Sequence, residues 1–434
     1  MQYKHITFLE DDFNTVMLHD PNQDVMKVYK NIPELTEFDN RGDELRRPLF
    51  SHSSLGTNMK AKRIHIKDFK FDSNYAYSVL VHHNSELWSK HIDLIPDYVL
   101  NDVREGKCKL IFDDSLEGTQ IEFFVQNLYE SAARLNLPTN QLYYIGNNLY
   151  TERDHSKFVD KNNIKSRMNF FSFMYNVYDI KRLIKDEQAL PEIVDIKEEI
   201  QYKKDNLDKL RPFLKVNRTN RLERNAAMLM INMHDYYDKF YISFPEYDLR
   251  ARTHPDILKP YFRPHNVESL KSKCPFDIDH TDTTNHGPAG IGKGRFNADL
   301  PFQPIHYRNT LFSLVMCAFP FDRNSIHLHS STYNPLYCGH PIIQFGPAGA
   351  LQELRMRGIH TFSDFWPEKY DHITNNWERF MAVMNLTLDL CEKPLEELLE
   401  MYVAMQKVTQ FNHNVLRKSK VLDELVVKIF GKNE

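Results

Sequence analysis

The chain has 434 residues, enough for two or three domains that each bury a core. Hydrophobic residues make up 41% and charged residues 26%, and 14 glycines stand against 29 Phe and 22 Tyr, which excludes collagen-like, linker-like and extensively disordered chains. The net charge of −4, from 55 basic and 59 acidic residues, excludes a broad nucleic-acid track, so that any such contact is local.

No run approaches a membrane span, and MQYKHITFLEDDF carries acids where a signal peptide has an apolar stretch. The expectation is a soluble, cytoplasmic protein without a membrane partner. Cys108, Cys274, Cys317, Cys338 and Cys391 form no C-x-x-C pair, and read as buried thiols of a reducing compartment.

The first 60 residues give weak signals. From about Arg63, short β-type runs alternate with helical periods. KCKLIFDD (107–114) predicts a strand ending in acids, IEFFVQNLYESAARLNL (121–137) a helix, and QLYYIGNN (141–148) a strand running into a Gly-Asn turn. Strand, helix, strand at this spacing is the βαβ unit that builds parallel sheets. SRMNFFSFMYNVYD (166–179) offers one more strand. Residues 183–211 are charged, contain Pro191, and predict a domain boundary.

A second alternating region follows: PFLKVN as a strand, RLERNAAMLMINMHDYY as a helix, KFYISF as a strand. Later come TLFSLVMCAF, SIHLHSS, PIIQFG, ALQELRMRG and HTFS. Between these regions, 255–304 is rich in Pro, Gly and His with little periodicity, and reads as a flexible insertion. Residues 376–430 have the i, i+3, i+4 apolar spacing of helices. The architecture predicted is α/β, with two domains, a helical tail, and strand C-terminal ends lining a cleft where α/β folds take ligands.

Residues 203–224 hold 8 Lys/Arg against 3 Asp/Glu. The first half, to Arg211, reads as a solvated helix and linker face. In VNRTNRLER (216–224) a strand ends at Asn217 and a helix opens near Asn220 or Arg221. Helix N-terminal N–H groups and Arg forks both favour phosphate, and Arg221 and Arg224 share a face; a surface turn with salt bridges is the alternative.

In 330–371 a polar turn leads into a helical segment. An apolar strand closed by Gly-Pro-Ala-Gly follows, and a helix opens near Ala350. Gly346 and Gly349 either serve an anion site there or only permit a tight turn.

Asp277, Asp279, His280, Asp282 and His286 offer oxygen and imidazole ligands, but the favoured reading has no metal. GPAGIGKG at 287–294 lacks the Ser/Thr of a phosphate-binding loop after Lys293, and reads as a loop whose Lys293 and Arg295 reach phosphate. His327 and His329 would share one face of a strand, as a metal pair or as polar cleft lining. Asp113, Asp114 and Glu117 follow a strand, where an acceptor-activating base or a helix cap belongs.

The run H-S-S-T-Y-N-P-L, GHPIIQFGPAGALQELRMRGIHTF and PEKYD resembles the C-terminal domain of the fucosyltransferase-like, B-type glycosyltransferases common in large DNA viruses and tailed phages. NRTNRLER is similar to that family's N-R-x-x-R-x-x-R motif, and KLIFDDSLEG and YYIGNN to its N-terminal domain. The likeness spans roughly 107–415.

It implies two Rossmann-like domains facing a cleft: 1–195 on the acceptor side, a linker at 196–211, and 212–415 binding a nucleotide sugar with the insertion 255–304. A C-terminal helix would occupy 416–434. It implies sugar transfer from a UDP- or GDP-sugar, without a required cofactor, to a hydroxyl of a glycan or of a modified DNA base. The donor would sit against Asn217, Arg218, Arg221, Arg224, Lys293, Arg295, Ser330, Ser331, Thr332, Tyr333, Asn334, Gly346 and Gly349, with Asp114 and Glu117 as catalytic candidates. One departure stands out: Ser330 and Ser331 replace the family's Glu-Lys pair. A catalytically silent binding protein on the same fold is the competing expectation.

Overall fold

The computed structural model describes residues 7–10, 62–65, 70, 73–80, 92, 95–115, 121–123, 125–174, 177, 195–217, 221–244, 263–274, 304–317 and 325–431. No helix among the described residues is long and apolar enough to cross a membrane. The chain divides into two compact units, Met1–Tyr175 with Lys420–Glu434, and Asn176–Ser419.

The first unit runs β1 (Thr7–Glu10), β2 (Lys62–His65), β3 (Tyr75–Leu80), α1 (Asp97–Arg104), β4 (Cys108–Asp114), α2 (Val125–Arg134), β5 (Leu142–Gly146), α3 (Thr151–Lys161) and β6 (Asn169–Ser172). Six strands pair in parallel in the order β2-β1-β3-β4-β5-β6. The apolar runs of β4 and β5 are explained by their place in the middle of this sheet, covered on both faces. Val99, Leu100 and Val103 of α1, and Val125, Leu128 and Ala132 of α2, bury their apolar stripes in that core. The helix expected over 121–137 is a 3₁₀ turn, Ile121–Phe123, and then α2.

The second unit runs α4 (Ile196–Asp205), β7 (Arg211–Val216), α5 (Leu222–Met233), β8 (Phe240–Ser243), α6 (Pro264–Lys273), α7 (Pro304–Arg308), β9 (Thr310–Met316), α8 (Ser330–Tyr337), β10 (Ile342–Phe345), α9 (Ala350–Met356), α10 (Asn376–Cys391) and α11 (Leu395–Lys418). Its four strands are parallel, in the order β10-β9-β7-β8. The chain goes from β7 to β8 on one side, then crosses to β9 and β10 on the other. The order therefore reverses between β7 and β9, the two central strands.

Several expectations change here. The supposed linker at 196–211 is α4 and a 3₁₀ turn, started by Asp195, whose carboxylate accepts from Lys197 N and Glu198 N. Its Lys203 is not a solvated charge. It is fully buried, donates to the carbonyls of Tyr307, Arg308 and Thr310 at 2.8, 2.7 and 2.8 Å, and pairs with Glu199 at 3.1 Å.

Within 255–304 the described part is an ordered helix, α6. Pro264 occupies its first turn, where no N–H is needed, and Val267 and Leu270 bury one face. Asn232 at the end of α5 fastens it, accepting from Lys273 at 3.0 Å and donating to Asn266 O at 3.4 Å.

SIHLHSS and HTFS form no strands. The first leads into α8 without helix or strand structure, and the second lies in the loop after α9. The polar turn expected at 330–334 is the opening turn of α8 itself. The expected tail helix at 416–434 splits, because α11 runs on to Lys418 and α12 (Val421–Phe430) begins afterwards. α12 belongs to the first unit, where Lys428 reaches Glu152 at 3.0 Å and lies over the Phe171 ring.

Candidate functional site

The C-terminal edge of the second sheet gathers most of the described candidates. β7 ends in Lys215-Val216, and Asn217, directly after it, extends the pairing by donating its N–H to Ser243 O at 2.8 Å. Asn217 is buried. Its Oδ1 accepts from the Lys215 ammonium at 3.2 Å, while its Nδ2 is buried with no hydrogen-bond partner. An unmet buried donor costs about 1–3 kcal/mol, so it marks a place where an acceptor belongs.

α5 starts at Arg221, and no side chain caps it. Arg224, one turn in, lays its guanidinium toward the end of β9, with Nη2 3.5 Å from Met316 O and Nε 3.9 Å from Glu223 Oε1. Glu223 is buried, and burial pushes its carboxyl pKa up, favouring the neutral acid; a hydrogen bond from its own backbone N–H, and then Arg224, Arg221 and Lys215, act in the opposite direction.

Next along this edge is Cys317, directly after β9. Its thiol, 3.8 Å from Thr332 Oγ1, places the first turn of α8 over the β9 end. Burial pushes that thiol up to about 12, so it stays uncharged. α8 likewise has no capping side chain at its N-cap, His329. Ser330 Oγ bonds His329 Nδ1 at 2.8 Å, and Ser331 Oγ is buried with no partner. Tyr333 is buried with Glu353, Arg357 and Cys317 as its electrostatic neighbours, so its ring packs toward α9 and builds the core. Asn334 is half-buried in the same helix. His327 is buried, and its ring centre is 5.8 Å from that of His329.

The Gly-Pro-Ala-Gly turn after β10 is a packing device. A Cβ on Gly346 would meet Ala350 Cβ at 3.1 Å, Cys317 Sγ at 3.2 Å and Gln344 Nε2 at 3.2 Å. Gly349 has φ 87°, which suits glycine. Arg379, buried, ties the turn down by donating to Gly346 O at 2.9 Å, Ile373 O at 2.6 Å and Asn376 Oδ1 at 2.7 Å. Asp371 closes the N-terminus of α9, accepting from Leu351 N and Gln352 N, both at 3.0 Å.

On the first sheet, Asp113 and Asp114 are the last residues of β4, within the strand and not after it. Asp114 is 1% exposed and accepts the Tyr144 hydroxyl at 2.6 Å; Asp113 accepts from Ser115 N at 3.0 Å. One oxygen of each carboxylate is engaged in this way. Asn147, Asn148 and Thr151 are buried at the neighbouring end of β5.

Glu117, Arg218, Lys293 and Arg295 lie outside the described residues, as do Asp277, Asp279, His280, Asp282 and His286. Among the described residues, no three His, Cys, Asp or Glu side chains come together as a metal site. The sequence pattern did not single out Lys215, Glu223, Asp371 or Arg379.

No family model matches the sequence, and no curated protein matches it. Among solved structures, the chain is similar to the alpha,alpha-trehalose 6-phosphate synthase from Burkholderia multivorans, with a TM-score of 0.38 and 11% identity over 83% of this chain and 73% of that one.

Proposed function

We propose that the second unit binds a nucleotide sugar through its diphosphate, and that the chain transfers the sugar to a hydroxyl acceptor, a glycan or a modified DNA base. The observation that carries this reading is the β7/β9 switch point. Open parallel sheets bind ligands at the carboxyl ends of their strands where the order reverses. At that point here, two helices whose N-cap residues make no side-chain cap, α5 and α8, open beside an unmet Asn217 donor and the Arg224 guanidinium. Two helix N-termini and an Arg fork suit two linked phosphates, and they would stabilise a departing nucleoside diphosphate as its charge develops.

The α9 N-terminus, closed by Asp371, takes no part. Ser330 and Ser331 supply hydroxyls toward ribose or phosphate without charge. Silent binding of the same ligand is the second reading, favoured by the burial of Asp114 under the Tyr144 hydroxyl, which leaves it poorly placed to take a proton from an acceptor. Calorimetry against UDP- and GDP-sugars tests the binding, and nucleotide release from the bound sugar donor, with and without acceptor, separates the two readings. A protein that binds no sugar nucleotide at millimolar concentration would sink both.

A further inference from the structure

Lys215 is fully buried in β7, a strand whose neighbouring positions are Phe213, Leu214 and Val216. Residues 215 and 217 alternate onto one face of the strand. The ammonium donates to Asn217 Oδ1 at 3.2 Å, and this donation orients the amide so that Nδ2 points away from the lysine. The charged groups that act on Lys215 come from the first turn of α5: Arg224, which opposes its charge, and Glu223, which favours it. Cys317 at the end of β9 stays a neutral thiol. The first turn of α8, Ser330-Ser331-Thr332, brings no charge.

We propose that Lys215 is a ligand-responsive cation of the diphosphate site, coupled through the Asn217 amide to a diphosphate seated between Asn217 and Arg224. This rests on the reading of that corner as the donor site. The lysine is wired to the site through the same amide whose other end lacks a partner. An acceptor oxygen on Nδ2 would polarise the amide and strengthen the Lys215 bond to Oδ1.

Burial pulls the Lys215 pKa down to about 7, with Arg224 adding to the effect and Glu223 resisting it. A bound dianion brings opposite charge and raises that pKa, so binding takes up a proton. The specificity that follows is for a diphosphate carrying its full charge over a neutral or singly charged ligand of the same shape.

The experiment is calorimetry with UDP-glucose and GDP-mannose, across about pH 6.5 to 8.5 and in buffers of different ionisation enthalpy. The diphosphate of a nucleotide sugar does not titrate near neutrality, so proton uptake reports on the protein. The native chain is expected to take up a proton on binding, and its Kd to weaken about three- to tenfold per pH unit above neutrality. Lys215→Met is expected to bind with a pH-independent Kd, checked for folding by circular dichroism. Glu223→Gln is expected to keep the native dependence above neutrality, which separates the lysine from the acid beside it.

Native binding without proton uptake overturns the inference, whatever the variants do, and leaves the donor site standing. So does a folded Lys215→Met protein that retains the pH dependence. Absence of binding by either sugar nucleotide at any pH removes the diphosphate reading for these two donors, and this inference with it.

Discussion

Replacing Lys203 by Met distinguishes a brace from a linker. The native ammonium serves three carbonyls, those of Tyr307, Arg308 and Thr310, pairs with Glu199, and lies 4.9 Å from the centre of the Tyr402 ring. Methionine keeps the stem and removes every donor. Glu199 still has Arg308 at 3.1 Å, so the loss falls mainly on the carbonyls. Thr310 O keeps its bond from His340 Nε2 at 3.0 Å, so the loss falls on the carbonyls of Tyr307 and Arg308, at about 1–3 kcal/mol each.

Opposing this is the burial of the charge, which pulls the Lys203 pKa down to about 8 against the Coulombic and hydrogen-bond support of Glu199. Removing the charge relieves on the order of 3 kcal/mol. The net expectation for K203M at neutral pH is a loss of about 1 kcal/mol, with the carbonyl term winning. The pH dependence has a definite sign. The folded pKa lies below the unfolded one, so between about pH 8 and 10.5 the unfolded chain holds more protons and native stability rises with pH; K203M lacks that rise. Urea unfolding followed by far-UV circular dichroism, at neutral pH and near pH 9.5, measures both effects. A variant within about 0.5 kcal/mol of native with the same pH slope would refute the reasoning and return this segment to a solvated face.

Arg224→Ala removes a charged fork from the switch point and is expected to weaken UDP- or GDP-sugar binding about 10- to 100-fold by calorimetry, well beyond its effect on the melting temperature. Gly346→Ala drives a methyl into Ala350, Cys317 and Gln344, and thermal unfolding should show a loss of about 1–3 kcal/mol. His340 is held near pKa 3, first by burial and then by Lys203, so the unfolded chain gains its proton first and native stability falls as pH drops from the ordinary histidine range toward 3. His340→Gln should lose less stability than native between neutral pH and pH 5, although its bonds to Ser313 and Thr310 make it weaker at neutral pH.

The fold was legible where burial on two faces writes long apolar runs. TLFSLVM and KLIFDD read as strands because central parallel strands leave no polar face, and PIIQF, at the edge of the second sheet, is buried along its whole strand as well. β1 and β2 were not legible: each has four residues, they lie some fifty residues apart, and neither carries a period long enough to see. The basic count over 203–211 misled because it weighed charges without their partners. The Glu199–Lys203 spacing of i, i+4 was present, but three of the lysine's bonds go to carbonyls about a hundred residues away.

Alternation over SIHLHSS predicted a strand, yet alternation describes any extended segment, paired or not. Asn217, Arg221 and Arg224 were legible from a strand-to-helix motif. Lys215 was not, since inside PFLKVN it looks like a break in an apolar run, and its purpose appears only when α5 folds back over it.

Three helices open at the same edge of the second sheet, and the fold treats them differently. α9 receives a carboxylate of its own: Asp371 accepts from two of its N–H groups, and backbone carbonyls fix the loop through Arg379. That end of the sheet is complete without a ligand, and an anion arriving there would meet a buried acid. The N-cap residues of α5 and α8, Arg221 and His329, make no side-chain cap, and the acid in the first turn of α5, Glu223, accepts only from its own N–H. Between them lie a neutral thiol, two serines, an amide with one end unmet, and a lysine and a glutamic acid that burial pushes toward their neutral forms. Mutual attraction and neutralisation let this corner stay folded while empty, which a fixed cluster of cations would not allow at such depth. The same balance makes it responsive, because a dianion at the switch point shifts the lysine toward its charged form, and the site gains its full attraction only when the ligand is present.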